Sequence, residues 1–291
     1  MKIYIPLFYS EKVKRPGQNY FLYHIIAEDF ALLLLTFTLF SPYKMSNAIG
    51  LFLLQMAFWC IYEIGYIEND ATGDKYEDKA VLSYNYGYYK CSFPWWQPWM
   101  FASILSFSGT AILNKDLVLS SNLVGIIAAS DHSSDLLRII EAGLLWLIFL
   151  LVLRLLFHIY NHLNKQSRVW FYLVLQSCRY CGFLLILTTN IIGIMLLVSK
   201  IITRSIQYIL YRYTGGNKNN WPKIFPRHFF CLLIYFLLLG AIALNNRELS
   251  IIFNYQVLCI VIFCFIRGSK NFKKVLTQCV HVRQDGSNQI T

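Results

Sequence analysis

The chain has 291 residues, 57% of them hydrophobic and 14% charged, with 26 Lys and Arg against 15 Asp and Glu. A soluble domain would carry roughly a quarter charged residues, so the composition excludes an ordinary soluble protein and points to a polytopic α-helical membrane protein. The net charge of +11 is read as basic loops on one side of a bilayer, a face suited to anionic lipids and phosphorylated substrates, with no nucleic-acid partner.

Eight Cys residues make no disulfide framework. Cys60, Cys178, Cys181, Cys231, Cys259 and Cys264 lie inside apolar runs, where Cys behaves as a small hydrophobe. Cys178-x-x-Cys181 lacks the surroundings of a redox motif.

Apolar run length predicts about eight spans. They are Phe21–Phe40, Ala48–Tyr66, Pro98–Leu113, Arg138–Phe157, Val169–Leu187, Ile191–Leu210, Phe229–Leu244 and Ile251–Ile266. The start, Met-Lys-Ile-Tyr-Ile-Pro, has no cleavable signal pattern, so the first span is expected to act as the insertion signal. Leu117–Ala129 is apolar but short and broken by Ser120, Ser121, Asn122 and Gly125; it reads as a re-entrant or interfacial piece. Tyr86, Tyr88, Tyr89, Trp95, Trp96 and Trp99 form an aromatic belt at the entry to the third span. Between the fifth and sixth spans only the turn Thr188-Thr189-Asn190 remains.

Basic-rich and basic-poor connections alternate along this scheme. Lys12, Lys14 and Arg15 precede the first span, Lys75, Lys79 and Lys90 follow the second, and Arg154 lies at the end of the fourth, with Lys165 and Arg168 after it. The positive-inside rule then places both termini and the loop after the second span in the cytoplasm. The expected organisation is a cytoplasmic segment over 1–20, one transmembrane helical domain over 21–274 and a cytoplasmic tail over 275–291.

The second span ends in six carboxylates, Glu63, Glu68, Asp70, Asp74, Glu77 and Asp78, with Asn69 among them. If the helix continues, Asp70, Asp74 and Asp78 share one face. Like charges at that spacing repel, and a divalent cation removes the cost. Mg²⁺ prefers oxygen ligands and pairs one or two carboxylates with substrate phosphates. Asp70, Asp74, Glu77 and Asp78 are the candidate metal ligands, with Asp70 and Asp74 central to catalysis. Neutralising either Asp70 or Asp74 is expected to relieve repulsion and leave the fold intact.

Asn69-Asp70-Ala-Thr-Gly-Asp74-Lys-Tyr-Glu77-Asp78 resembles the first aspartate-rich motif, NDxxDxxxD, of the UbiA superfamily of intramembrane prenyltransferases. Asn69 and Asp70 match. Asp74 and Asp78 arrive one residue late, Gly73 stands in place of the middle Asp, and Glu77 stands where the final one would be. The resemblance implies an all-α, UbiA-like bundle open laterally to lipid, whose site binds a Mg²⁺–diphosphate and releases pyrophosphate. A second aspartate-rich motif is absent from the second half; Asp131-His-Ser-Ser-Asp135 has a similar spacing but falls on the opposite side of the membrane.

The second half instead offers Arg154, His158, Asn161 and His162 at the end of the fourth span. Arg154, His158 and His162 share one helical face. Arg recognises phosphate bidentately and His can donate to it, so these residues read as a phosphate or sugar-phosphate binding face. One acidic motif beside a basic face is similar to the superfamily branch that transfers a phosphoribosyl group to polyprenyl phosphate. Arg179, mid-way along the fifth span, is expected to face the bundle interior and contact substrate, because a charge in lipid is expensive. Lys12-Val-Lys14-Arg15 reads as an ordinary positive flank.

The expected function is a Mg²⁺-dependent intramembrane transferase acting on a polyprenyl lipid, with phosphoribosyl pyrophosphate as donor, in a bacterial cytoplasmic membrane and in service of cell-envelope polysaccharide synthesis. A prenyl diphosphate donor is the first alternative. A transporter or flippase using Glu63 and Arg179 along a charged pathway is the second. A homo-oligomer is compatible with each reading.

Overall fold

The computed structural model describes residues 3–77, 80, 82–87, 94–113, 117, 135–164, 166–213 and 226–269. Asp78, Tyr88, Tyr89, Asp131, the tail after Lys274 and all of the Leu117–Ala129 piece but Leu117 lie outside the described residues. Every regular element among those described is helical. The chain divides into two units, Met1–Asn190 and Ile191–Thr291.

The first unit begins with a short π-helical segment, Tyr9–Lys14. Helix α1, Phe21–Thr38, follows. It is wound largely as π-helix, over Phe21–Phe30 and Leu34–Thr38. Helix α2 runs without interruption over 33 residues, Lys44–Tyr76. At 1.5 Å per residue it is about 50 Å long, well beyond the roughly 30 Å of a hydrocarbon core. Its last turns carry the acidic cluster past the predicted end of the span at Tyr66. Helices α3, Trp96–Ile112, α4, Asp135–His162, and α5, Ser167–Cys181, complete the unit, with a 3₁₀ turn at Gly182–Leu185.

Helix α2 is the centre of this unit and packs against both α3 and α4. Gly50 and Gly109 make the α2–α3 approach close. A Cβ on Gly50 would stand 3.0 Å from the Gly109 carbonyl oxygen, and one on Gly109 would stand 3.1 Å from that of Gly50. Small residues at such crossings are the usual means of bringing apolar helices together in lipid. On the other side, Phe58 stacks on Phe149 with 6.5 Å between centroids, and Trp146 bridges Phe149 at 4.9 Å and Phe183 at 5.0 Å. These aromatics tie α2, α4 and the 3₁₀ turn into one core.

The second unit contains α6, Ile191–Tyr213, α7, Arg227–Asn245, a 3₁₀ turn at Leu249–Phe253 and α8, Tyr255–Ser269. α6 packs on α7. Its interior holds Leu196, Leu197, Tyr235, Leu239, Ile260 and Cys264, with Lys200 and His228 also buried.

Each of α1 to α8 overlaps one of the eight predicted apolar runs, though α2 runs ten residues past the predicted end and α5 stops six short of it. Five of them, α1, α2, α4, α6 and α7, are long and apolar enough to cross a membrane. α3 has 17 residues and α5 has 15, and α8 is another of the shorter apolar helices. α5 falls short for a physical reason. It buries Arg168, Gln176 and Arg179 on one face and tightens into the 3₁₀ turn after Cys181. The predicted turn before α6 is present, and Thr189 Oγ1 donates to the Thr36 carbonyl at 2.6 Å, fastening it to the C-terminal end of α1.

Candidate functional site

The residues singled out from the sequence gather mainly at one end of the first unit, around the last three turns of α2. Because α2 stays helical through Tyr76, Asp70 and Asp74 share one face while Glu68 leaves the helix at a different angle, and the three meet different partners.

Glu68 faces α4. Its Oε2 accepts from Arg154 Nη1 at 2.9 Å and Asn161 Nδ2 at 2.8 Å, and its Oε1 lies 2.5 Å from His158 Nδ1. Asn161 is buried and also donates to the Gly65 carbonyl at 3.0 Å. The Phe157 ring lies directly over Gly65, where any side chain would collide with it. Glycine at this position is what lets α4 come close enough for Asn161 to read the α2 backbone. Arg154 and His158 of the predicted face, with the neighbouring Asn161, therefore meet at Glu68, an acidic residue of α2, while His162 makes no hydrogen bond to it.

Asp70 faces the N-terminal segment. It is buried, accepts from Tyr9 Oη at 2.8 Å and Asn69 Nδ2 at 3.3 Å, and forms an ion pair with Lys14. Tyr9 and Val13 pack on Ile67 just below it, and the Lys14 ammonium lies 6.0 Å from the Tyr66 ring centroid. Lys14 thus does more than flank the membrane: it answers the carboxylate that the sequence assigned to a metal.

Asp74, one turn on, is exposed, with the Tyr86 hydroxyl 3.5 Å away. Glu77 ends α2 and accepts from Arg168 Nη1 at 2.8 Å. Arg168 also donates through Nη2 to the Asn161 carbonyl at 2.8 Å and through Nε to the Leu163 carbonyl at 2.9 Å. It closes the C-terminal end of α4, where unpaired carbonyls favour a cation, and ties that end to α2. Sequence reasoning counted Arg168 only as a basic flank.

Glu63, two turns before Asp70, anchors the chain start. Its carboxylate accepts from Tyr4 Oη at 2.9 Å, Leu7 N at 2.9 Å and Ser10 N at 2.7 Å. Leu7 has φ of 68°, a left-handed conformation unfavourable for a branched residue, and the bond from its N–H to Glu63 helps hold it. Burial, followed by the neighbouring Glu63 charge, keeps the Tyr4 phenol well above its ordinary range, so Tyr4 remains a donor.

Arg179 lies deeper, apart from the cluster. It is buried and forms an ion pair with Asp29 of α1. The guanidinium carbon stands 4.8 Å from the Trp59 ring centroid and 5.7 Å from those of Tyr62 and Tyr180. Tyr180 Oη donates to the second Asp29 oxygen at 3.0 Å. Arg179 faces the interior as predicted, but its partner, Asp29, was missed. The available signal was an acidic pair, Glu28-Asp29, inside an apolar run with no solvent-facing role.

His162, on the predicted face, has its Nδ1 2.9 Å from the His158 carbonyl. Glu68, His158 and His162 each offer a ligand atom within 4.8 Å of the others. Cys60, Cys178, Cys181, Cys231, Cys259 and Cys264 are free thiols.

Comparison of the chain with models of known protein families, with curated proteins and with solved structures finds no match.

Proposed function

We propose that the chain is an intramembrane transferase of the UbiA type that binds a diphosphate donor at the end of α2 and acts on a polyprenyl lipid. The observation that carries this reading is the meeting of carboxylates from one helix with cations from three other elements. Glu68, Asp70 and Glu77 of α2 pair with Arg154 of α4, Lys14 of the N-terminal segment and Arg168 of α5. A phosphorylated donor and a divalent cation require both signs of charge within one small region.

Asp70 and Asp74 are the Mg²⁺ ligands of this reading, with Mg²⁺ taking the place of the Lys14 ammonium on Asp70. Asp74 is exposed one turn beyond Asp70 on the same face, and both offer oxygen donors only, as Mg²⁺ demands. Asp70 is already oriented by Tyr9 and Lys14. Mg²⁺ bound there would neutralise charge on the departing pyrophosphate. Lys14 and Arg154 would add fixed positive charge beside the same group, stabilising the charge that develops as it leaves. With phosphoribosyl pyrophosphate, an oxygen of the lipid phosphate forms the new bond to the anomeric carbon. The bond from that carbon to pyrophosphate breaks, and its electron pair leaves with pyrophosphate. The lipid phosphate is already anionic, so little base catalysis is needed.

The remaining topology belongs to the same proposal: eight spans, with the N-terminal segment and the ends of α2 and α4 on the cytoplasmic face of a bacterial membrane. A prenyl diphosphate donor is the second reading. It is favoured by Tyr66, whose ring centroid lies 6.0 Å from the Lys14 ammonium that pairs with Asp70; an aromatic face beside the donor site suits an allylic cation. The test is transfer of radiolabel from phosphoribosyl pyrophosphate into a polyprenyl phosphate fraction by purified protein with Mg²⁺, run beside a labelled prenyl diphosphate. Label from the first donor alone supports the proposal. Label from the second alone moves the assignment to a prenyltransferase, and label from neither rejects both.

A further inference from the structure

We infer that Glu68, His158 and His162 form a site for a borderline divalent cation of the Zn²⁺ type, distinct from any Mg²⁺ at Asp70 and Asp74. The inference does not depend on the transferase reading, since binding is measured without substrate.

His158 and His162 are four residues apart on α4, so their rings share one face, with centroids 4.4 Å apart. This is the spacing by which a single helix offers two imidazoles to one metal. Glu68 approaches from α2, and the three ligand atoms lie within 4.8 Å of one another. Around a tetrahedral ion with bonds of 2.0–2.1 Å, ligand atoms stand about 3.3 Å apart. Small rotations of two exposed imidazoles cover the difference.

The surroundings have the form of an outer shell. His162 Nδ1 lies 2.9 Å from the His158 carbonyl. As a donor there it fixes the tautomer and leaves Nε2 with a free lone pair, the arrangement usual for metal-bound His. Glu68 divides its oxygens. Oε2 takes Arg154 and Asn161, while Oε1 lies 2.5 Å from His158 Nδ1, its one hydrogen-bond contact among the described residues. Arg154 and Asn161 therefore orient the carboxylate without occupying the ligating oxygen. Two nitrogens and one oxygen favour Zn²⁺ over Mg²⁺, and three protein ligands leave a fourth position for water or a phosphate oxygen.

The test is titration of the metal-stripped, detergent-solubilised full chain with Co²⁺, followed by displacement with Zn²⁺. The expected result is one saturable equivalent with the visible absorption of tetrahedral Co²⁺. Outer-shell changes alone weaken metal sites about 10–100-fold, so His158→Ala and His162→Ala should each weaken binding by at least about tenfold. His162 is the exposed last residue of α4, so its replacement should leave folding intact. His162→Cys should restore binding, with sulfur-to-cobalt charge transfer as its signature. Binding that survives both alanine variants, binding lost instead on Cys178→Ser or Cys181→Ser, or no saturable binding at all would overturn the site.

Discussion

Arg179 and Asp29, 150 residues apart in sequence, form a buried ion pair between α5 and α1, with the guanidinium set against Trp59 of α2. The pair joins three helices of the first unit. Removing one partner strands a charge in a dry interior, which costs about 3–5 kcal/mol. Asp29→Ala and Arg179→Met should each lower thermal stability in detergent by that order. The double variant Asp29→Leu/Arg179→Met should recover most of the loss, because matched apolar replacement of a buried pair is often near neutral. Additive losses in the double variant would show that the two side chains act separately.

Glu63 is expected to hold the chain start onto α2. Glu63→Gln keeps the shape but turns one accepting oxygen into a donor facing an N–H or O–H. Losing one of the three bonds from Tyr4, Leu7 and Ser10 should cost about 1–3 kcal/mol. Amide hydrogen exchange at Leu7 and Ser10 should accelerate while α4 is unaffected. Unchanged protection at both amides would contradict the anchoring role.

The structure separates two carboxylates that the sequence treats alike. Asp74 is exposed, so Asp74→Asn should leave stability unchanged and, on the proposed transferase reading, remove Mg²⁺-dependent turnover. Asp70 is buried against Tyr9 and Lys14, so Asp70→Asn should also loosen the N-terminal segment. Weakening a hydrogen bond to a charged group costs about 1.5–3 kcal/mol. Comparing unfolding midpoints of the two variants decides this; equal midpoints would count against Asp70 as an anchor.

Arg154→Lys keeps the charge but loses the planar fork. If the α4 face receives the 5-phosphate of phosphoribosyl pyrophosphate, the apparent Michaelis constant for that donor should rise. Loss of one charge-assisted contact corresponds to about ten- to a hundredfold in kcat/KM. Mg²⁺ dependence should be unaltered. Donor kinetics indifferent to both Lys and Ala at position 154 would remove this residue from the donor site.

Topology is checked by labelling. Tyr84 and Thr188 are both exposed. Basic-residue alternation puts Tyr84 on the side of the N-terminus. Thr189 is hydrogen-bonded to Thr36, near the far end of α1. Tyr84→Cys and Thr188→Cys, each in a chain whose native Cys are replaced, should react with impermeant reagent from opposite sides of the membrane. Reaction from one side would refute the alternating scheme.

The helical class and the approximate positions of α1 to α8 follow from apolar run length, because each such run satisfies its own backbone hydrogen bonds and needs no knowledge of its neighbours; the short helix Tyr9–Lys14 and the extension of α2 to Tyr76 do not. The inward orientation of Arg179 was legible for a similar reason, since lipid is no place for a guanidinium. Partners were not legible. Glu68 chooses Arg154, His158 and Asn161, Asp70 chooses Lys14 and Tyr9, and Glu77 chooses Arg168. Those choices depend on the angle at which each carboxylate leaves α2 and on which helix stands there. Spacing along one helix fixes the first, but only tertiary packing, including the close approach of α4 at Gly65 and the return of the N-terminal segment onto Ile67, decides the second. The acidic end of α2 is resolved in three dimensions into separate pairs at Glu68, Asp70 and Glu77, while Asp74 stays exposed, because each buried charge is stabilised most by the nearest opposite charge.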